Sequence, residues 1–190
     1  MGEFRRETTR LVLRDWCEAD WDEFFRLTDT PAVMRWLGGP LGAEGRRLQR
    51  ERVTTCRARN GFCFWVVERL ADGGHLAGEM LGFCGLKRAD APGSSIADEF
   101  EVGWRFREDS WGRVYAKEAA LAALDLAFGT FEADEVFAIT VPDNTASWGL
   151  MIRLGMERRP ELDYDDTRFT GAMRRQILYS ITRDQWESSE

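Results

Sequence analysis

Apolar and polar residues alternate through "RLVLRDW" at 10 to 16, the period of two that marks an edge or half-buried strand. Directly after it, Trp21, Phe24, Phe25 and Leu27 of "EADWDEFFRLTDT" recur at three- and four-residue steps. A helix with one apolar face therefore follows the strand. "PAVMRWLGG" predicts a second, short helix, entered at Pro31 and left at Gly38 and Gly39. A third helical stretch, 44 to 59, carries Arg46, Arg47, Arg50, Arg52, Arg57 and Arg59, which reads as a solvated face with acidic neighbours rather than an anion or partner site.

The pattern then changes. "GFCFWVVERL", "LAGEMLGFCGLKR" and "DEFEVGWRFR" are strand-like, with turn signals at "ADGGH" and "ADAPGSS" between them, and predict an antiparallel meander. A helix from about 114 to 128, a strand at "DEVFAITV", a helix at "DNTASWGLMIRLG" and a strand at "RRQILYSIT" complete the chain. A meander followed by strand, helix and strand implies an α/β (α+β) fold, a mixed sheet with helices packed on it. No repeat or linker interrupts it, so residues 1–190 are expected to form a single domain.

Composition narrows the function. The net charge of −7 and pI near 5.0 weigh against a nucleic-acid partner, whose phosphates are neutralised by lysine and arginine. No apolar run approaches the roughly 20 residues that cross a bilayer, so no membrane partner is expected. Cys17, Cys56, Cys63 and Cys84 form no C-x-x-C pair and no apolar leader precedes the domain, which reads as a cytoplasmic protein with reduced thiols. The single histidine, His75 in "DGGHLAG", reads as an exposed loop residue. One imidazole among turn residues supports neither a serine–histidine triad nor a histidine metal site, and no metal is expected.

Chemistry concentrates in "DSWGRVYAKEAALAALDLAFG", 109 to 129, a glycine-bearing turn running into an alanine-rich helix. Ser110 is a candidate cap and Gly129 a candidate left-handed exit. Such a turn either cradles a phosphate on free backbone N–H groups or only connects two core elements. Gly103, inside the strand "EFEVGWRF", signals a bulge or a close approach by a backbone or ligand. In "PDNTASWGLMIRLGM", Asp143 or Asn144 can cap a helix on which Asn144, Ser147 and Met151 share one face. A polar patch at the start of an otherwise apolar helix suggests a site.

These segments, in this order, resemble the GNAT superfamily of acetyltransferases, in the group that includes the ribosomal-protein alanine N-acetyltransferases RimJ and RimL. The resemblance runs nearly end to end, through "TTRLVLRDWCEADWDEFFRL", "VMRWLGG", "LGFCGL", "FEVGWRFREDSWGRVYAKEAAL", "NTASWGLMIRLGM" and "LYSITRDQW". It implies a mostly antiparallel mixed sheet splayed at a bulge, with acetyl-CoA as co-substrate lying in the gap. Val102, Gly103, Trp104 and Phe106 would then face the pantetheine arm. The N–H groups of Trp111, Gly112, Arg113, Val114, Tyr115 and Ala116 would face the pyrophosphate. Arg107 and Arg113 would add charged contacts or remain solvated. The family's phosphate pattern, Q/R-x-x-G-x-G/A, has a glycine where this chain has Val114. Valine tolerates helical angles, so the backbone is expected to survive with cofactor binding weakened or re-routed.

The reaction implied is attack of a neutral primary amine on the thioester. Glu101 is the candidate base acting through water, or else an outward-facing carboxylate. Met151 stands where many relatives have an acidic tyrosine, and Ser147 matches a serine that serves instead. Asn144 would hydrogen-bond the cofactor or a water, or merely cap its helix. An N–H near Val102 or Gly103 would receive the developing oxyanion. The acceptor is a peptide N-terminus or an amine-bearing small molecule. Asp163, Asp165 and Asp166 would attract a cation or form a solvated loop. The rival reading is a non-catalytic binding or regulatory protein on the same fold. Monomer and homodimer are equally compatible.

Overall fold

The structure, a computed structural model, describes residues 4–188. Strands β1 (Arg5–Glu7) and β2 (Leu11–Arg14) precede helices α1 (Asp20–Thr28) and α2 (Ala43–Asn60). The meander is β3 (Phe64–Arg69), β4 (Met80–Arg88) and β5 (Phe100–Phe106). There follow α3 (Tyr115–Gly129), β6 (Glu135–Thr140), α4 (Thr145–Arg153), β7 (Glu157–Arg158), β8 (Tyr164–Asp165), β9 (Arg175–Thr182) and α5 (Arg183–Glu187). The sheet runs β1-β2-β3-β4-β5-β6-β9-β7, with β8 on β9. Every pair is antiparallel except β5 with β6.

Alternation along β5, and along β4 beyond the register shift at Leu81, sorts the core into two layers. Leu81, Leu86, Phe100, Val102 and Phe106 join the α3 side, where Ala119, Ala120, Ala123 and Ala127 are fully buried. Small side chains let this helix lie close to the sheet. The opposite face packs on α1 and α2 through Phe24, Phe25, Val53, Val66 and Phe83. Helix α2 buries only Val53 among its own residues. Its arginines reach Asp29, Glu44, Glu51, Glu18, Asp90, Asp15 and Asp98, so the solvated, acid-neutralised reading holds.

Several local expectations are corrected. "PAVMRWLGG" forms a succession of turns rather than a helix. Met34 N–H bonds to Thr30 O, but Leu37 and Gly39 then both bond back to Met34 O, and Gly38 and Gly39 swing to φ 94° and 86° before a second turn can close. Ser110 does not cap α3: its hydroxyl donates to Arg107 O at 2.7 Å within a short 3-10 turn. Gly129 stays inside the helix, and the cap residue Thr130 is right-handed. Gly103 marks no bulge, because β5 pairs with β4 without interruption from Phe100 to Phe106. The register shift lies between β3 and β4, at Val67 and Glu68. There Gly82 takes φ 140°, and a Cβ on it would stand 2.0 Å from Arg105 O. His75 is half-buried rather than exposed, its ring 6.4 Å from that of Tyr115. Asp163, Asp165 and Asp166 are neither a free acidic patch nor simply solvated, since Arg158, Arg174, Arg175 and Arg168 neutralise them.

Candidate active site

β5 has two unlike edges. On one, the whole strand pairs with β4. On the other, only Phe100 opposite Val136 and Glu101 opposite Phe137 join β6. The ladder with β4 continues into Arg107 N–H on Leu81 O at 2.9 Å. Alternation then turns the backbone groups of Glu101, Gly103 and Arg105 toward β4, and those of Val102, Trp104 and Phe106 toward the gap. Phe106 O already accepts Trp111 Nε1 at 3.0 Å. Val102 C=O and both backbone groups of Trp104 thus present an unpaired strand edge, a set of polar groups that needs a partner, whereas Val102 N–H closes the last bond to β6 at Phe137 O. Gly103 faces β4 and Val102 N–H bonds to Phe137 O, so neither N–H group expected for an oxyanion opens on the gap, and the first that does is that of Trp104.

At the end of this edge the chain turns into α3. Trp111 N–H is committed to Glu108 O at 3.0 Å. Among the described residues, the amides from Gly112 to Ala116 meet no backbone acceptor. Gly112 at φ 71° and Val114 at φ 67°, ψ 5° flank Arg113. Alternating hands of this kind, at a helix start, gather N–H groups into an anion-binding concavity. The expectation that Val114 would keep helical angles is therefore wrong. It holds the left-handed conformation natural to glycine, strained for a β-branched residue, with its side chain 59% exposed. Arg10 braces the loop by donating to Arg113 O at 3.2 Å, and Glu118 holds Arg10 at 2.7 Å. Arg113 is exposed, whereas Arg107 is held by Asp109 and Glu79. The Tyr115 side chain is buried behind the loop, its hydroxyl accepting from Arg69 Nε and donating to His75 O.

The other end of the gap holds the titratable groups. Glu101 Oε2 lies 3.1 Å from Lys87 Nζ, outside hydrogen-bond alignment, and Lys87 also binds Asp90 at 2.5 Å. Burial raises the Glu101 carboxyl above its ordinary value against the pull of Lys87. Burial also works against the charge on Lys87, but Glu101 and Asp90 together hold its ammonium above the usual lysine range. Burial, then Glu101 and Asp166, push the nearby Tyr164 hydroxyl up. Glu101 is thus no outward-facing carboxylate, its side chain being 13% exposed. Across the gap Asn144 occupies the N-cap position of α4 without a side-chain cap, donating instead to Thr140 Oγ1 at 3.0 Å. Ser147 is half-buried one turn on, and Met151 is core. The sequence reading missed Lys87, Asp90 and Tyr164. Pairing the meander strands in register would have put Lys87 opposite Glu101.

A mixed sheet opened beside one strand, with free amides where the opening meets a helix, defines an open-edged α/β domain. Residues 10–157 match the family model described as an acetyltransferase (GNAT) domain, and the chain belongs to that family. It is 32% identical over 130 residues to the FsC-acetyl coenzyme A-N(2)-transacetylase of Aspergillus fumigatus, a match covering 66% of this chain and 52% of that protein. It thus spans about half the length of that relative. It is 26% identical to the N-acetyltransferase YnaD of Bacillus subtilis, over 80% of this chain and 81% of YnaD. Among solved structures, a GNAT-family acetyltransferase from Bacillus anthracis superposes with a TM-score of 0.74 at 20% identity, covering 95% of this chain and 99% of that one. Spermidine N-acetyltransferase from Vibrio cholerae, in complex with CoA and spermine, gives 0.72 at 15% identity, covering 95% and 99%. These two likenesses establish the fold alone. Among the described residues no helix is long and apolar enough to cross a membrane.

Proposed function

We propose that the chain is an acetyl-CoA-dependent N-acetyltransferase of the ribosomal-protein alanine N-acetyltransferase type, acting on the primary amine of a peptide N-terminus or a small molecule. The observation that carries this reading is the one-sided opening of β5 beside the free amides of residues 112–116. Acetyl-CoA supplies an activated acyl group as a thioester. Val102 C=O and the backbone N–H and C=O of Trp104 are offered to its pantetheine amides, and the amides from Gly112 to Ala116 take the pyrophosphate.

The acceptor amine is protonated in water near neutrality and must lose that proton before it attacks. Glu101, desolvated at the closed end of the gap, accepts the proton through a water. Trp104 N–H, the first free amide along the open edge, receives the charge that develops on the carbonyl oxygen. The hydroxyl of Ser147 returns a proton to the departing sulfur, and Asn144 holds a water or a cofactor amide at the mouth of α4.

Release of free thiol from acetyl-CoA over a panel of amines tests the reaction, and a thermal shift with acetyl-CoA tests the binding beneath it. Two features favour a second reading, a binding or regulatory protein: the strained Val114 in the phosphate loop and Met151 in the acid's usual place. A thermal shift without thiol release for any amine would select it.

A further inference from the structure

One face of β4 and β5 carries three successive cross-strand pairs: Lys87 opposite Glu101, Gly85 opposite Gly103, and Phe83 opposite Arg105. Residues two apart in a strand share a face, so all six lie on the α1 and α2 side of the sheet. The two glycines leave the middle of this lane without side chains of its own. The half-buried ring of Phe64 fills it, 3.0 Å from where a Cβ on Gly103 would stand and stacked on Phe83 at 4.6 Å. The lane therefore has an apolar floor, a carboxylate and ammonium at one end, and a guanidinium at the other, about 13 Å along the strand.

That guanidinium is unlike the other arginines of the chain discussed above. Arg105 is 9% exposed, and among the described residues its Nε and Nη1 are buried without a hydrogen-bond partner. The rings of Phe24 and Phe83 lie 5.6 and 5.3 Å from it and offer only cation–π attraction. Asp29 is the acid whose charge acts on it, but both Asp29 oxygens are engaged, by Leu41 N–H and by Arg46 Nε, each at 2.7 Å. Burial pulls Arg105 down to about 10, which still leaves it cationic at neutral pH. A buried charge with unmade hydrogen bonds is costly, and burying it is worthwhile only where something else completes it.

We infer that Arg105 binds a carboxylate at the far end of the acceptor, whose apolar spine lies on the Phe64 ring while its amine stands at Glu101. The acceptor class is then an amino carboxylate with a long spacer, or a short peptide, rather than a plain polycation. The inference rests on the acetyl-transfer reading for the amine end only.

The test compares 8-aminooctanoate with 8-aminooctanamide as acceptors, in the wild type, Arg105→Met and Arg105→Lys, and adds octanoate alone as a binding probe in thermal shift. The wild type is expected to favour the acid about tenfold or more in kcat/KM, the size of one charge-assisted contact. Arg105→Met should bring that ratio near one, Arg105→Lys should keep part of it, and octanoate should raise the melting temperature of the wild type but not of Arg105→Met. The melting temperature of Arg105→Met without ligand should be unchanged or higher, and its shift with acetyl-CoA unchanged. No preference for the acid in the wild type, or a preference that survives in Arg105→Met, overturns the inference. So does a fall in stability of Arg105→Met with the ratio intact in Arg105→Lys and the octanoate shift absent from every form, which marks a structural arginine. If no acceptor releases thiol while octanoate still separates wild type from Arg105→Met, acetyl transfer fails and the anion site stands.

Discussion

The two edges of β5 differ as a wall differs from a doorway. Toward β4 each residue from Phe100 to Phe106 has a partner in register, and the ladder runs on into Arg107. Toward β6 the pairing stops after Glu101. The same seven residues thus serve both as core and as site. A strand can leave one edge unpaired, at a real cost in unsatisfied backbone groups, only because the other edge and the α3 face hold it rigid. This division predicts that changes on the paired edge act on folding, and changes on the open edge act on ligand and turnover.

The largest effect is expected on the paired edge. Gly82→Ala would force a left-handed φ on alanine and drive its Cβ into the carbonyl of Arg105. A loss of more than about 4 kcal/mol is expected, the extreme tail for a single substitution. Urea unfolding, or failure to recover folded protein, reads it out. Wild-type-like stability would show that β4 and β5 are not closely paired there.

At the closed end of the gap, Glu101→Gln should leave the acetyl-CoA thermal shift in place and lower kcat/KM by about 10²–10⁴, the usual contribution of a positioned base. Since burial raises Glu101, wild-type kcat/KM should climb with pH through a value above 4.5 and then level off, and the variant should lack that limb. The sign for stability is opposite. A carboxyl raised in the folded state favours folding while protonated, below its unfolded value, and that contribution is lost as pH rises through the raised value. Glu101→Gln should therefore narrow the fall in stability over that window. Acetyl-CoA at a hundred times its dissociation constant should add about 2.7 kcal/mol, or about 5–11 °C for a chain of this size.

How much of this could be read from the chain follows the kind of information each feature uses. Patterning located β2, α1, the meander, α3, β6, α4 and β9, because each buries one face or stripe, whereas α2, which buries only Val53, was placed by its run of arginines. Patterning missed β1, whose three residues are all exposed, and it took residues 31–39 for a helix because Pro31 and two glycines mimic helix punctuation. The resemblance supplied the gap beside β5, but local sequence misplaced the bulge. Gly103 is required by the Phe64 ring above it, and Gly82 by the backbone of the neighbouring strand, and nothing within either segment tells these needs apart. Glu101 was legible as a carboxylate beside the gap. Its partner Lys87 and the lone Arg105 were not, because both acquire meaning only when two strands are set in register.

The smallest expected effect tests the junction where wall and doorway meet. Val114 holds φ 67°, a conformation that costs a non-glycine residue about 1–2 kcal/mol and a β-branched one no less. Glycine would remove that strain but add about 0.4–1 kcal/mol of unfolded-state entropy. Val114→Gly should therefore stabilise the protein by about 1.5 kcal/mol at most, a rise of about 3–6 °C. Its effect on acetyl-CoA affinity, measured by calorimetry, separates two roles of the isopropyl group. If bulk hinders the approach of the pyrophosphate, Val114→Ala and Val114→Gly should both tighten binding. If only the backbone matters, Val114→Ala, still strained, should bind as the wild type does while Val114→Gly alone gains. Should neither variant change stability or affinity, the left-handed valine is no burden, and the loop owes its shape to the brace of Arg10 on Arg113 and Glu118 instead.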